Sequence, residues 1–174
     1  MQAVFERARL VRLAIFDVDG VMTDGSLYLS DSGEESKAFH TRDGQGMKML
    51  QDSGVALAIL SGRRSRVVEL RAAELQISHV IQGAADKLAA YLDLLRELGL
   101  ETSCTSYMGD DLVDLPVLQR AGLAVTVPDS PPLLREHVHY VTKLSGGHGA
   151  VREFCELIMQ AQGSLAARLQ GYLA

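Results

Sequence analysis

Five carboxylates, a serine and a lysine stand at places in this chain where chemistry is expected. Asp17 and Asp19 follow the apolar run Val11 to Phe16, separated by one residue and followed by Gly20. Ser61 precedes Gly62 after a second apolar run, Val55 to Leu60. Lys87 opens a helical stretch behind Asp86, and Asp110, Asp111 and Asp114 follow a third run ending at Met108. Side chains two apart on a strand share a face, and two close negative charges repel unless a cation or proton lies between them. Alone, an Asp-x-Asp pair reads as a turn with two solvated aspartates; the other groups change that reading. The set fits phosphoryl transfer through an aspartyl-phosphate, with one carboxylate as nucleophile and a second moving the proton. Hard oxygen ligands select Mg²⁺, and a hydroxyl and an ammonium supply further donors to the phosphoryl oxygens.

These groups can meet only if the strands are parallel, because in an open α/β sheet the reactive crevice lies outside the carboxyl ends of the strands. The chain alternates accordingly. After a short N-terminal helix or arm over residues 1–9 and the first strand come a hairpin, Leu27 to Ser30 and Glu35 to His40, and a loop Thr41 to Gly44. A helix Gln45 to Asp52 follows, then strand Val55 to Leu60 and a helix from the Ser65 cap to about Gln76. Next are a short strand Val80-Ile81, a helix Lys87 to Leu98 ended by Gly99, and a strand Thr105 to Met108. Helix Leu112 to Arg120, strand Leu123 to Val127, short helix Pro132 to His137, edge strand Tyr140 to Thr142 and helix Ala150 to Gln162 complete the order. The expected fold is α/β: a Rossmann-like, open, mainly parallel sheet with helices on both faces and a protruding hairpin at about 25–40. At 174 residues it is one domain, with a weakly patterned tail at about 163–174.

A net charge of −5 argues against nucleic acid and anionic membrane as partners. Cys104 and Cys155 have no metal-ligand spacing and read as reduced thiols. No signal peptide or membrane span is expected: Met1 to Arg12 carries Glu6, Arg7, Arg9 and Arg12 and no long apolar core, and Val11 to Val21 is too short and too soon interrupted by Asp17. A cytoplasmic protein is the expectation.

The motifs Asp17-Val18-Asp19-Gly20-Val21 with Thr23-Asp24-Gly25, Ser61-Gly62-Arg63, Lys87 and Gly109-Asp110-Asp111-x-x-Asp114 resemble the four motifs of the haloacid dehalogenase superfamily of phosphotransferases. Phe39 to Gly44, Gln82-Gly83, Pro132-Leu133-Leu134 and Gly146-Gly147-x-Gly149-Ala150-Val151-Arg152-Glu153 are similar to the capless branch acting on 3-deoxy-D-manno-octulosonate 8-phosphate, in that family's order over residues 10–162. The resemblance implies a Mg²⁺-dependent phosphatase serving lipopolysaccharide biosynthesis. It implies Asp17 as nucleophile and metal ligand, and Asp19 as general acid/base and, through its carbonyl, a ligand. Asp110 completes the ligands with Asp111 and Asp114 in support, and Ser61 and Lys87 contact the phosphoryl group. Substrate contacts fall on Asp19, His40, Thr41, Arg42, Asp43, Gly44, Lys48, Arg63, Arg71 and Lys87. Arginines suit a substrate carrying both carboxylate and phosphate.

Several residues keep a second reading. Ser61 could cap the next helix, Asp111 and Asp114 could be first-turn acids, and Arg63 and Arg71 solvated charges. Gly146, Gly147 and Gly149 fit a phosphate-cradling loop and a flexible joint equally. Lys87 runs against the helix dipole, which favours function over structure. Only the hairpin lies between the first two motifs, too little for a folded cap domain. The resembling family covers its sites by forming homotetramers, so the hairpin is the expected interface. Alternatives are a phosphatase for a nine-carbon sialic-type sugar 9-phosphate, a phospho-accepting receiver and a silent assembly domain. The intact Asp17, Asp19, Lys87 and Asp110 speak against the last, and Asp19 beside the nucleophile against the receiver.

Overall fold

The computed structural model describes residues 1–173; of the tail, Ala174 lies outside the described residues. Helix α1 (Gln2–Arg9) leads into strand β1 (Leu13–Phe16), and β2 (Tyr28–Leu29) and β3 (Glu35–Ser36) form the antiparallel hairpin. Helix α2 (Thr41–Asp52), β4 (Ala56–Leu60), α3 (Arg66–Glu74), β5 (His79–Ile81), α4 (Lys87–Leu98) and β6 (Thr105–Met108) follow. A 3₁₀ turn (Leu112–Asp114) then leads to α5 (Leu115–Leu118), β7 (Leu123–Thr126), α6 (Pro132–Arg135), β8 (Tyr140–Val141), α7 (Ala150–Ala161) and α8 (Leu165–Gln170).

The main sheet has six strands in the order β5-β4-β1-β6-β7-β8, every neighbouring pair parallel. The chain runs from β1 outward through β4 and β5, then returns to β6 and proceeds the other way. The switch point therefore lies beside β1, the strand carrying Asp17, which is where ligands bind in open parallel sheets. All four residues of β1 are buried, as expected of a strand covered on both faces. Alternation sends Ala14 and Phe16 to the layer holding α1, α2, α3 and α7, where Phe16 meets Phe154 edge-on at 5.9 Å between centroids. Leu13 and Ile15 pack instead with Tyr91, Leu94 and Leu118 of α4 and α5.

Helix α4 takes its expected bounds because both ends are chemically marked. Asp86 accepts from the Ala89 amide at 2.9 Å, and Gly99 closes the helix at φ 61°. Helix α2 differs: the expected loop Thr41 to Gly44 is its first turn. The reason is tertiary. Asp43 is buried and accepts from the Gly149 and Arg152 amides at 3.3 and 2.8 Å, so α2 begins where it caps α7. The same helices touch closely enough that a Cβ on Gly46 would lie 2.7 Å from Arg152 Cδ. The stretch 112–120 is a 3₁₀ turn followed by a short α-helix, with Pro116 in its first turn. The tail forms α8, which packs on α7.

Candidate active site

Asp17 lies one residue past β1, its amide held by the Met108 carbonyl of β6. Its Oδ1 accepts from the Val18 amide at 2.7 Å and its Oδ2 from Lys87 Nζ at 2.6 Å. The following loop curls tightly, with the amides of Val21, Met22 and Thr23 converging on the Val18 carbonyl. Gly20 turns at φ 80°, and a Cβ there would fall 1.9 Å from Asp110 Oδ2. The missing side chain is what lets Asp110 lie against this loop. Gly146 in turn packs on the Gly20 carbonyl so closely that a Cβ would come within 1.8 Å. The Gly147 amide donates to the Val21 carbonyl at 3.0 Å. Gly146 and Gly147 are therefore a buttress behind the Asp17–Asp24 loop, with neither the free amide of a phosphate cradle at Gly147 nor the slack of a joint.

Asp114 is wholly buried and fully bonded. Its Oδ1 accepts from Lys87 Nζ at 2.7 Å and the Tyr107 hydroxyl at 2.6 Å; its Oδ2 accepts from the amides of Asp110 and Asp111 at 3.0 and 3.2 Å. Oxygens of Asp17, Asp110 and Asp114 lie within 4.8 Å of one another, a span one ion can bridge. With both its oxygens so occupied, Asp114 holds Lys87 and the Asp110 loop, leaving Asp17 and Asp110 as the direct side-chain ligand candidates. The electrostatics agree. Burial, then the Asp114 charge, pushes Asp17 up to about 7. Burial, then the Asp17 charge, does the same to Asp110. Two raised carboxylates facing each other are what a divalent cation relieves. Lys87 keeps its charge: burial alone would lower its pKa, but Asp17 and Asp114 outweigh that and raise it.

Ser61 is buried at the end of β4 and accepts from the Arg63 amide at 3.3 Å. Helix α3 begins only at Arg66, with Ser65 as its N-cap residue, so Ser61 does not cap it. A cleft of about 250 Å³ is lined by Asp17, Asp19, Ser61, Arg63, Lys87, Asp110 and Asp111, gathering strand ends far apart in sequence. It holds a carboxylate able to attack, a second two residues on, an ammonium, a hydroxyl and a pair of cation ligands. That is the equipment of phosphoryl transfer.

The other expected substrate residues lie outside this cleft. Asp43 is committed to α7, and Gly44 packs against Arg71. His40 begins α2 with Nδ1 3.8 Å from Asp43. Arg71 stacks 5.6 Å over the Phe39 ring and pairs with Glu74. Thr41, Arg42 and Lys48 are exposed, Arg42 beside a separate cavity with Lys143 and Arg152. Sequence reasoning passed over Lys37 and Tyr107. Lys37 reaches from the hairpin to Asp19, and Tyr107 from β6 to Asp114. The available signals were a lone lysine on a hairpin strand close to the first motif and a polar-tipped aromatic in a buried strand just before the Asp110 loop.

A family model of haloacid dehalogenase-like hydrolases matches residues 70–154, which contain Lys87, Asp110 and Asp114. A 3-deoxy-D-manno-octulosonate 8-phosphate phosphatase of Yersinia pestis is 50% identical over 162 residues, covering 93% of this chain and 87% of that protein. The same-named enzyme of Moraxella catarrhalis, solved in complex with magnesium ion, phosphate ion and KDO, superposes with a TM-score of 0.97 at 43% identity over 99% of each chain. A probable YrbI family phosphatase from Pseudomonas syringae superposes at 0.99 with 50% identity, over 100% of this chain and 99% of that one. Sheet order, strand-end carboxylates and these likenesses define a haloacid dehalogenase-like hydrolase, a phosphoric monoester hydrolase with no cap domain among the described residues. Within that class the chain belongs to the 3-deoxy-D-manno-octulosonate 8-phosphate phosphatase family.

Proposed function

We propose that this chain hydrolyses 3-deoxy-D-manno-octulosonate 8-phosphate to the free sugar acid and phosphate, using Mg²⁺. The observation that carries the chemistry is Asp17, bonded by Lys87 on one oxygen at 2.6 Å and set within ion-bridging distance of Asp110. The likeness to enzymes of that name along 93% of the chain supports the substrate. Asp17, Asp110 and the Asp19 carbonyl would hold the metal, with Asp111 and Asp114 supporting the loop. When bound, Mg²⁺ supplies positive charge to the phosphoryl oxygens and to the facing carboxylates.

Asp17 attacks phosphorus, forming an aspartyl-phosphate as the bond to the sugar C8 oxygen breaks, and the Asp19 carboxyl gives that oxygen its proton. Asp19 then takes a proton from water, whose oxygen attacks the phosphorus and releases phosphate from Asp17. Lys87 and the Ser61 hydroxyl offset charge on the transferring group, and Arg63 is a contact for the sugar acid. Hairpin residues Leu27, Tyr28 and Leu29 are 47, 51 and 63% exposed, which supports a homotetramer built through the hairpins. In it, the substrate residues outside the cleft would serve a neighbouring copy. Among the described residues no helix is long and apolar enough to cross a membrane, and both cysteines are free thiols. A cytoplasmic place in lipopolysaccharide sugar synthesis is consistent with both.

The test is phosphate release from a panel of sugar phosphates with and without Mg²⁺, by the parent and Asp17→Asn. Metal-dependent release from the eight-carbon acid, abolished by the substitution, is expected. Equal turnover by Asp17→Asn ends the covalent route, and selective hydrolysis of a nine-carbon 9-phosphate reassigns the substrate.

A further inference from the structure

Glu35, Lys37, Asp19 and Arg63 close a square of alternating charge at the mouth of the cleft. Lys37 Nζ donates to Asp19 Oδ1 and lies 3.4 Å from Glu35 Oε1. Arg63 reaches that Glu35 oxygen at 2.8 Å and brings its Nε to 3.5 Å from Asp19 Oδ2. Lys37 extends from an arm whose apolar residues face solvent, yet its own side chain is 1% exposed, against 48% for Arg63. An exposed ion pair contributes little, whereas an ammonium withdrawn from water requires a matched negative charge. Lys37 is thus built into the site by Asp19 and Glu35.

This pairing bears on what Asp19 must do. Its carboxyl has to meet the leaving oxygen, and in the square one oxygen is occupied by an ammonium while the other faces a guanidinium. The four charges sum to zero, so an arriving carboxylate adds a third anion for which two cations are shared. We propose that Lys37 is a latch on Asp19 which the carboxylate of the substrate itself releases. The idea rests on the substrate class proposed above, a sugar acid with phosphate at one end and carboxylate at the other. Beside Arg63 the substrate carboxylate competes for Lys37, the square re-forms around it, and Asp19 is free to turn to the leaving oxygen. A phosphate ester of a neutral sugar fills the phosphoryl position but leaves the latch shut. Lys37 is then a positioning residue for Asp19 and a determinant of specificity, contributed by the hairpin.

The experiment compares kcat/KM on 3-deoxy-D-manno-octulosonate 8-phosphate and on D-mannose 6-phosphate, a primary-alcohol phosphate without a carboxylate, for the parent, Lys37→Met and Lys37→Arg. The parent favours the acid. Lys37→Met is expected to lose at least tenfold on the acid and to gain severalfold on the neutral ester, while Lys37→Arg keeps the parental preference. Opposite changes on two substrates are something a merely structural lysine cannot produce. A fall on both substrates, or a fall on the acid without a gain on the neutral ester, overturns the latch. If Lys37→Met does not fold, Lys37→Gln, which can keep a hydrogen bond to Asp19 without the charge, carries the same comparison. A parent without preference for the acid refutes the substrate assignment instead, so the two failures are distinct.

Discussion

The Tyr107 hydroxyl and the Lys87 ammonium share one oxygen of Asp114, at 2.6 and 2.7 Å, a carboxylate that is itself wholly buried. Asp114 sets both the lysine that bonds Asp17 and the amides that carry Asp110, so Tyr107 supports the site from behind. Hydrogen bonds to buried charge contribute about 1.5–3 kcal/mol. Tyr107→Phe should lower unfolding stability by about that amount and reduce kcat roughly tenfold with little change in KM. Denaturant melts and steady-state kinetics on the same preparation check both halves.

Asp17 and Asp110 make stability depend on pH in a direction that follows from their shifts. Both are raised from 3.8 to about 7, so the native state binds their protons more tightly than the unfolded chain does. For these two groups, metal-free stability is fullest below pH 4 and is lost as pH rises through about 7. In the proposed site Mg²⁺ would bind the ionised pair and reverse that loss. The rise in Tm produced by Mg²⁺ over EDTA should therefore widen steadily from pH 5 to pH 8. A rise independent of pH would show that the ion is held elsewhere.

Gly146→Ala should damage a site it does not line with catalytic groups. Its Cβ would meet the Gly20 carbonyl at 1.8 Å, which forces the loop carrying Asp19 to move. Overpacking of this kind costs about 1–3 kcal/mol. We expect kcat to fall at least tenfold and apparent Mg²⁺ affinity to weaken, with the circular dichroism spectrum unchanged.

For the proposed tetramer, Leu29→Glu is the direct test. Leu29 is 63% exposed on the hairpin, so the substitution is nearly free in one chain and costly in an apolar interface. Light scattering should give a tetramer for the parent and a smaller species for the variant, with loss of activity on the sugar acid. A monomeric parent at micromolar concentration refutes the assembly.

What could be read from the residues was what local chemistry marks. Helix α4 was legible to its ends because Asp86 and Gly99 are self-sufficient signals. Strand-end carboxylates were legible because a parallel sheet collects its strand ends at one edge. The first turn of α2 was not, since Thr41 to Gly44 has the composition of a loop and is helical through Asp43 bonding a helix more than a hundred positions away. The glycine buttress shares that origin, since Gly146 packs on Gly20 from the far end of the chain. Lys37 and Tyr107 meet partners nearer in sequence, 18 and 7 positions away, which composition alone does not mark.

The order of the strands also governs when the ion site comes into being. Asp17 ends the central strand, and its counterpart Asp110 follows β6, the neighbour that arrives only after the chain has laid down β4 and β5 on the opposite flank. A nascent polypeptide therefore carries the proposed nucleophile, Asp17, long before Asp110, its partner at the proposed ion site, has been added. No fragment that stops short of Asp114 can hold the metal in the proposed way, so magnesium cannot guide the early steps of assembly and instead rewards a chain that has finished them.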